Sequence, residues 1–295
     1  MMLIAGTIPL KDLPLVIGEV RAEGKDLVVA GQRIPCTQGT GALISAALAA
    51  TNWLKLDPPH VLVAGDIGKG EGSRLIYEHL ARNLERISPD VLVLHYILPD
   101  MPQMRKVCEA AERCPRKPIM IADAASMYVA KAAGLAAQFD IFTPDATEMA
   151  FLADPDATHP AYIARHLFDT DIARTPELVA TAYELKSTAK LLLVKGSTDY
   201  IVRDGEILDT ITEPDVPALE AIGGTGDTIT GLVSALVYAE LDLHEAAIIA
   251  AKANRMAGKF AQATPATKIW QIVEQFPAVF SEHLCAWSGG VHCLM

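Results

Sequence analysis

The chain has 295 residues, 51% of them hydrophobic, and a formal net charge of -11. That length and apolar content fit one large α/β domain or two small ones, and the acidic balance argues against a nucleic-acid-binding face, which would be basic. No run approaches the roughly 20 apolar residues of a membrane span. The N-terminus has no basic segment before its short apolar run, so it does not read as a signal peptide. Five scattered cysteines, Cys36, Cys108, Cys114, Cys285 and Cys293, read as reduced and cytoplasmic.

In chain order, short apolar and β-branched runs predict strands at Met2–Thr7, Asp26–Ala30, His60–Ala64, Val91–His95, Ile119–Ala122, Ile141–Thr143, Leu191–Val194 and Tyr200–Val202. Helical periodicity predicts helices at Thr40–Trp53, Ser73–Ile87, Met101–Arg113, Ser126–Ala136, Ala146–Leu152 and Pro176–Ser187. Nearly continuous apolar strands alternating with helices predict a largely parallel sheet covered on both faces. Beyond Asp227 the pattern is helical: Asp227–Ala239, Leu243–Gln262 and Lys268–Phe276. One layered domain over residues 1–277 is expected, followed by a tail over 278–295.

In such sheets ligands bind beyond the carboxyl ends of the strands, and five loops fall there. Gly39-Thr40-Gly41-Ala42 is one. Gly65-Asp66-Ile67-Gly68-Lys69-Gly70-Glu71-Gly72-Ser73 is glycine-rich, yet no Gly-Lys-Ser/Thr closes it, so it is not a Walker loop. It reads as a ligand-facing loop or as a flexible turn with Ser73 as helix cap. Asp123-Ala124-Ala125-Ser126 follows a strand. Thr143-Pro144-Asp145 precedes Glu148, with Pro144 suited to a first helical turn and Thr143 or Asp145 to its cap. Lys195-Gly196-Ser197-Thr198 can bind phosphate or simply turn a hairpin.

The chain is organised around Gly223-Gly224-Thr225-Gly226-Asp227-Thr228. Glycines permit a tight turn, and the helix start that follows offers unpaired N–H groups to an anion. Asp227 there is either a helix-stabilising acid or a base for phosphoryl transfer to a hydroxyl. In the tail, His283, Cys285, His292 and Cys293 lie within eleven residues and make a weak zinc candidate.

Taken in order, these loops resemble the ribokinase-like superfamily, and within it the NAD(P)H-hydrate dehydratase family. The residues that carry the resemblance are Gly223-Gly224-Thr225-Gly226-Asp227, Lys195-Gly196-Ser197-Thr198, Thr143-Pro144 with Glu148-Met149, Asp123-Ala124, and Ala253-Asn254-Arg255-Met256. The match is good from about Pro118 to about Gln262 and looser before it, where His95-Tyr96-Ile97-Leu98-Pro99 stands near the place of the family's Gly-Pro-Gly-Leu-Gly loop.

The resemblance implies a three-layer α/β/α fold with a largely parallel sheet. It implies an ADP or ATP site at Lys195, Gly196, Ser197, Thr198, Gly224, Thr225, Gly226 and Asn254. Asp227 would be the base, Glu148 would hold Mg²⁺ through water, and Gly41, Asp123, Asp145 and Asp227 would line the acceptor pocket. The implied reaction is phosphorylation of the hydroxyl of hydrated NADH or NADPH, followed by loss of phosphate. Asp145 stands where the dehydratases have His and the kinases Asn, Ala125 where an Asp is usual, and Thr228 where the dehydratases have an aliphatic residue. The second reading is therefore an ATP-dependent kinase of a sugar, vitamin precursor or nucleoside. No nucleic-acid or membrane partner is expected, and related folds commonly assemble, so a homo-oligomer is.

Overall fold

Every residue of β1 (Met2–Ile8) is buried, because the strand lies in the middle of a sheet with a parallel neighbour on each side. A computed structural model describes residues 1–157 and 175–289. Among these residues β1 pairs with β5 (His60–Gly65) and β6 (Val91–His95), and parallel pairing continues through β7 (Ile119–Asp123), β8 (Ile141–Phe142) and β9 (Leu191–Val194). Beyond each end of this block the pairing is antiparallel. One edge carries β10 (Asp199–Arg203) and β11 (Glu206–Ile211), and the other carries β2 (Val16–Glu23), β3 (Asp26–Val29) and β4 (Gln32–Pro35). The sheet order is β11-β10-β9-β8-β7-β6-β1-β5-β2-β3-β4.

Helices cover both faces, as nearly continuous apolar strands require. One side holds α1 (Thr40–Trp53), α7 (Thr225–Tyr238), α8 (Leu243–Phe260), α9 (Ile269–Val273) and α10 (Phe276–Trp287). The other holds α2 (Glu71–Ile87), α3 (Met101–Glu112), α4 (Ala125–Ala132), α5 (Ala146–Ala153) and α6 (Thr175–Glu184). The expected three-layer α/β/α architecture is present.

The differences from expectation have local causes. β2, β4 and β11 were not expected: each mixes polar and apolar residues, and each lies in an antiparallel flank where one face meets solvent. The helix expected over Ser126–Ala136 stops at Ala132, because Gly134 turns the chain with φ 70°. The boundary expected at 278 falls inside α10, whose Val279, Phe280 and Leu284 are buried in the same cluster as α1 and α8. Phe280 also meets Trp53 of α1 with ring centroids 5.6 Å apart. Cys36, Cys108 and Cys114 are buried free thiols. His292 and Cys293 lie outside the described residues.

α1 and α7 pack closely. A Cβ at Gly231 would stand 2.2 Å from the Leu43 carbonyl oxygen, so only glycine lets the two backbones approach this far. Both helices point their N-termini at the carboxyl ends of the strands, and that end of the sheet is where the functional groups gather.

Candidate active site

Strand register brings the groups together. Gly6 of β1, His95 of β6 and Asp123 of β7 are successive register partners at the sheet's carboxyl end, and Lys195 follows β9, bridged to Asp145 beyond β8. A Cβ at Gly6 would meet the His95 carbonyl oxygen at 2.5 Å and Thr40 at 2.8 Å. Glycine at this position therefore lets α1 start close over the end of β1.

Asp227 sits in the first turn of α7. Gly224 caps that helix with φ 101°, a conformation that suits glycine, and the first helical hydrogen bond runs from Thr228 N to Gly224 O at 2.9 Å. The N–H groups of Gly226 and Asp227 precede it and face outward with the positive end of the helix dipole. The Asp227 Oδ2 accepts from Gly39 N at 2.7 Å, and Oδ1 meets His95 Nε2 at 3.0 Å. The other nitrogen of His95, Nδ1, lies 2.9 Å from Thr40 Oγ1. Burial works to raise the pKa of Asp227, but His95, Lys195 and the Gly39 N–H outweigh it, and the carboxyl is held below the usual range. A carboxylate so held has no proton to give, so His95 Nε2 is the donor in that pair.

Next to it stands a second carboxylate, this one fully buried. Asp123 receives Lys195 Nζ at 3.0 and 2.9 Å, Ala124 N at 2.8 Å and Thr230 Oγ1 at 2.5 Å. Burial opposes the charge on Lys195, but Asp123, Glu148 and Asp227 prevail, and its ammonium stays protonated well above the ordinary lysine range. His95, Asp123 and Asp227 place ligand atoms within 4.8 Å of one another. Their shared hydrogen bonds to Lys195, Thr230, Thr40 and Gly39 make them a preorganised network rather than an open metal cage.

Two clefts open here. The first, of about 380 Å³, is lined by Lys195, Gly196, Ser197, Gly226, Asn254 and Glu148 among others, and the second, of about 490 Å³, by Gln38, Gly39, Thr40, Asp66, Gly223 and Gly224 among others. Arg255 shapes the first by donating to Asp199 Oδ2 at 2.7 Å and to the carbonyls of Gly196 and Ser197 at 2.9 and 2.8 Å. Asp227 and Tyr96 are the residues common to both linings.

Of the residues expected at a nucleotide site, Lys195, Gly196, Ser197, Thr225, Gly226 and Asn254 line the first cleft, whereas Gly224 lines the second. Thr198 does not line either, and the side-chain oxygen of Asn254 is taken by the Thr228 hydroxyl at 2.7 Å. Asp123 and Asp145, expected on the acceptor side, line the first cleft instead. Gly41 lines neither; it is buried where a Cβ would stand 2.4 Å from the Pro35 carbonyl oxygen, so its small size serves packing.

Asp145 caps α5 and shares a reciprocal capping box with Glu148, whose Oε2 accepts from Asp145 N at 2.9 Å. The expected alternative cap, Thr143, is buried and pairs with Thr230 at 2.8 Å. Burial, then the charges of Asp145 and Asp123, raise the Glu148 carboxyl far above its usual range. The glycine-rich loop 65–73 is not open to an anion, because the Asp66 carboxylate fills it. Asp66 accepts from the N–H groups of Gly68, Lys69, Gly70 and Ser73 and from the Ser73 hydroxyl, all within 2.8–3.0 Å.

Motif and spacing do not single out His95; its one signal in the sequence is a histidine closing an otherwise apolar strand, a poor place for a polar ring unless something at the strand end pairs with it.

The three-layer α/β/α fold is shared with ribokinase-like kinases and dehydratases. The structure of ADP/ATP-dependent NAD(P)H-hydrate dehydratase from Bacillus subtilis, co-crystallized with ATP/Mg²⁺, superposes with a TM-score of 0.56 at 13% identity, covering 95% of this chain and 89% of that one. Phosphofructokinase-2 from Escherichia coli in complex with fructose-6-phosphate superposes with a TM-score of 0.51 at 15% identity, covering 94% and 98%. The family model for NAD(P)H-hydrate dehydratase matches residues 28–275, and the chain belongs to that family of lyases. An uncharacterized protein of Methanocaldococcus jannaschii is 38% identical over 242 residues, 82% of this chain and 100% of its own length. The bifunctional NAD(P)H-hydrate repair enzyme Nnr of Hyperthermus butylicus is 44% identical over 73 residues, 25% of this chain and 13% of its own length.

Proposed function

We propose that the protein repairs hydrated NADH or NADPH with ADP or ATP as phosphoryl donor. The observation that carries this reading is Asp227, half-buried between a cleft with a charged lysine and free helix N–H groups and a second cleft with room for an acceptor. In the first step the nucleotide's terminal P–O bond breaks, a P–O bond to the acceptor's hydroxyl forms, and the hydroxyl proton passes to Asp227. The C–O bond to the new phosphate then breaks, and loss of a ring proton restores the double bond.

A carboxylate held below its usual range is a weak base. A loose phosphoryl-transfer transition state develops little charge on the attacking oxygen, so orientation and late acceptance of the proton suffice. The Gly226 and Asp227 N–H groups and Lys195 stabilise the charge of the moving phosphoryl group.

The residues fit a divalent cation on the nucleotide side, since Glu148, Asp145 and Asp123 crowd negative charge whose repulsion a cation relieves. Glu148 would hold it through water, and Mg²⁺ when bound neutralises charge on the phosphate oxygens. No helix among the described residues is long and apolar enough to cross a membrane. The test is turnover of hydrated NADH with ADP or ATP beside a panel of sugar and vitamin alcohols. Repair of hydrated NADH alone supports the reading, and phosphorylation of an alcohol without it would sink it.

A further inference from the structure

Asp227 has its role in the chemistry, but the second residue shared by the two clefts, Tyr96, does not. Its side chain is large, and 46% of the residue is exposed at the mouth of the site. Its φ is 51°, in the left-handed region that bulky residues seldom enter. Such a conformation persists where the surroundings hold it.

Two contacts hold Tyr96 there. The Thr7 hydroxyl donates to its carbonyl oxygen at 2.5 Å. The His95 ring meets its ring edge-on, with centroids 4.5 Å apart and planes at 88°. The ring lies beside Gly39, where a Cβ would stand 3.6 and 3.7 Å from two ring carbons, and Gly39 donates its N–H to Asp227. The tyrosine thus packs against His95, which pairs with the base, and lies beside Gly39, which donates to it.

We propose that Tyr96 is a positioning residue that walls the junction of the two clefts, holding the acceptor's ring with its hydroxyl toward Asp227 and keeping water from the phosphoryl group. This rests on the dehydratase reading. A phosphoryl group at the junction has two possible acceptors, the substrate hydroxyl and water. With either one, the nucleotide's P–O bond breaks, a new P–O bond forms and the nucleophile's proton passes to Asp227. Attack by water releases inorganic phosphate and leaves the coenzyme unrepaired. An aromatic face excludes water from that point and offers a flat surface to a six-membered ring. A tyrosine phenol carries no charge near neutral pH, so the wall adds no negative charge to the path of the phosphates.

The test compares wild type, Tyr96→Phe and Tyr96→Gly. Glycine suits the positive φ, so the smaller variant is not strained, and a melting curve checks its fold. Two quantities are read: phosphate release from Mg–ATP or Mg–ADP without acceptor, and KM and kcat for hydrated NADH. The glycine variant is expected to release phosphate several-fold faster without acceptor and to raise the acceptor KM about tenfold, with the phenylalanine variant close to wild type. A folded glycine variant with wild-type acceptor KM and wild-type background hydrolysis overturns the proposal. Wild type that hydrolyses nucleotide but ignores hydrated NADH overturns the dehydratase reading instead, and the background rates of the variants still decide whether Tyr96 excludes water.

Discussion

His95 Nε2 lies 3.0 Å from Asp227 Oδ1 across 132 residues of sequence, with Thr40 behind the imidazole at 2.9 Å. The histidine thus aims the carboxylate and helps to keep it ionised. His95→Phe should lower kcat by roughly ten- to a hundredfold, since a hydrogen bond to a charged group is worth about 1.5–3 kcal/mol. It should also move the acid limb of the rate profile. The wild-type Asp227 carboxyl is held below its usual range, so activity that needs the carboxylate falls only in more acid solution. Removing the donor raises that pKa and shifts the limb upward in pH. A pH–rate profile of both proteins checks this, and an unmoved limb would refute it.

Asp227→Asn should retain the fold and the rise in melting temperature that Mg–nucleotide produces, because asparagine is isosteric and still accepts from Gly39. Turnover should drop by roughly 10² or more, the usual size of general-base assistance. The loss belongs in kcat, since the interaction matters mainly in the transition state. Near-wild-type turnover would make Asp227 a helix-start acid only.

Glu148 predicts a proton count. Its carboxyl is pushed up to about 8, by burial first and then by Asp145 and Asp123, so below that pH the ligand-free protein carries a proton that a bound cation must displace. Mg–nucleotide affinity should climb with pH up to about 8 and level off above it. Calorimetry in buffers of different ionisation heat counts the released proton, which Glu148→Gln should abolish. The stability of the ligand-free protein runs the other way. A folded pKa above the unfolded one stabilises fully below the unfolded value of 4.5 and ceases to do so as pH rises to about 8.

Residues 278–289 belong to the folded body as far as their packing shows. Phe280 is 1% exposed and touches both Trp53 and Phe276. Phe280→Ala should cost about 3–5 kcal/mol in denaturant unfolding. A change within experimental error would mean that α10 does not hold to α1 in solution.

The sequence pointed to the parallel block because strands buried on both faces need unbroken apolar runs, as in Val91–His95 and Leu191–Val194. It was nearly silent on β2 and β4. Val16–Glu23 alternates Glu, Arg and Gly with apolar residues, and it becomes a strand only because β5 lies alongside. The glycine-led aspartate was legible because its chemistry is local to one turn. The His95 contact was not, since it exists only once β6 and α7 meet. Gly41 shows the opposite error: a glycine that suits a ligand and a glycine that suits a neighbouring carbonyl look alike until the neighbour is placed.

The alanine-rich α1 is buried within the chain, so the expectation of a closed homo-oligomer rests on the habit of related folds alone. Light scattering should return a multiple of the 31.6 kDa chain mass; a single chain mass would refute it.

Asp66 turns the loop after β5 into a nest that carries its own anion. The amides of Gly68, Lys69 and Gly70 close on one carboxylate oxygen and Ser73 on the other, so the loop owes its shape to no ligand. In hydrogen-exchange terms those four amides should be slow in the ligand-free protein and no slower when substrates are added, whereas the Gly226 and Asp227 amides should slow only when phosphate covers them. The site thus pairs a rim already set with a helix start that waits for its anion.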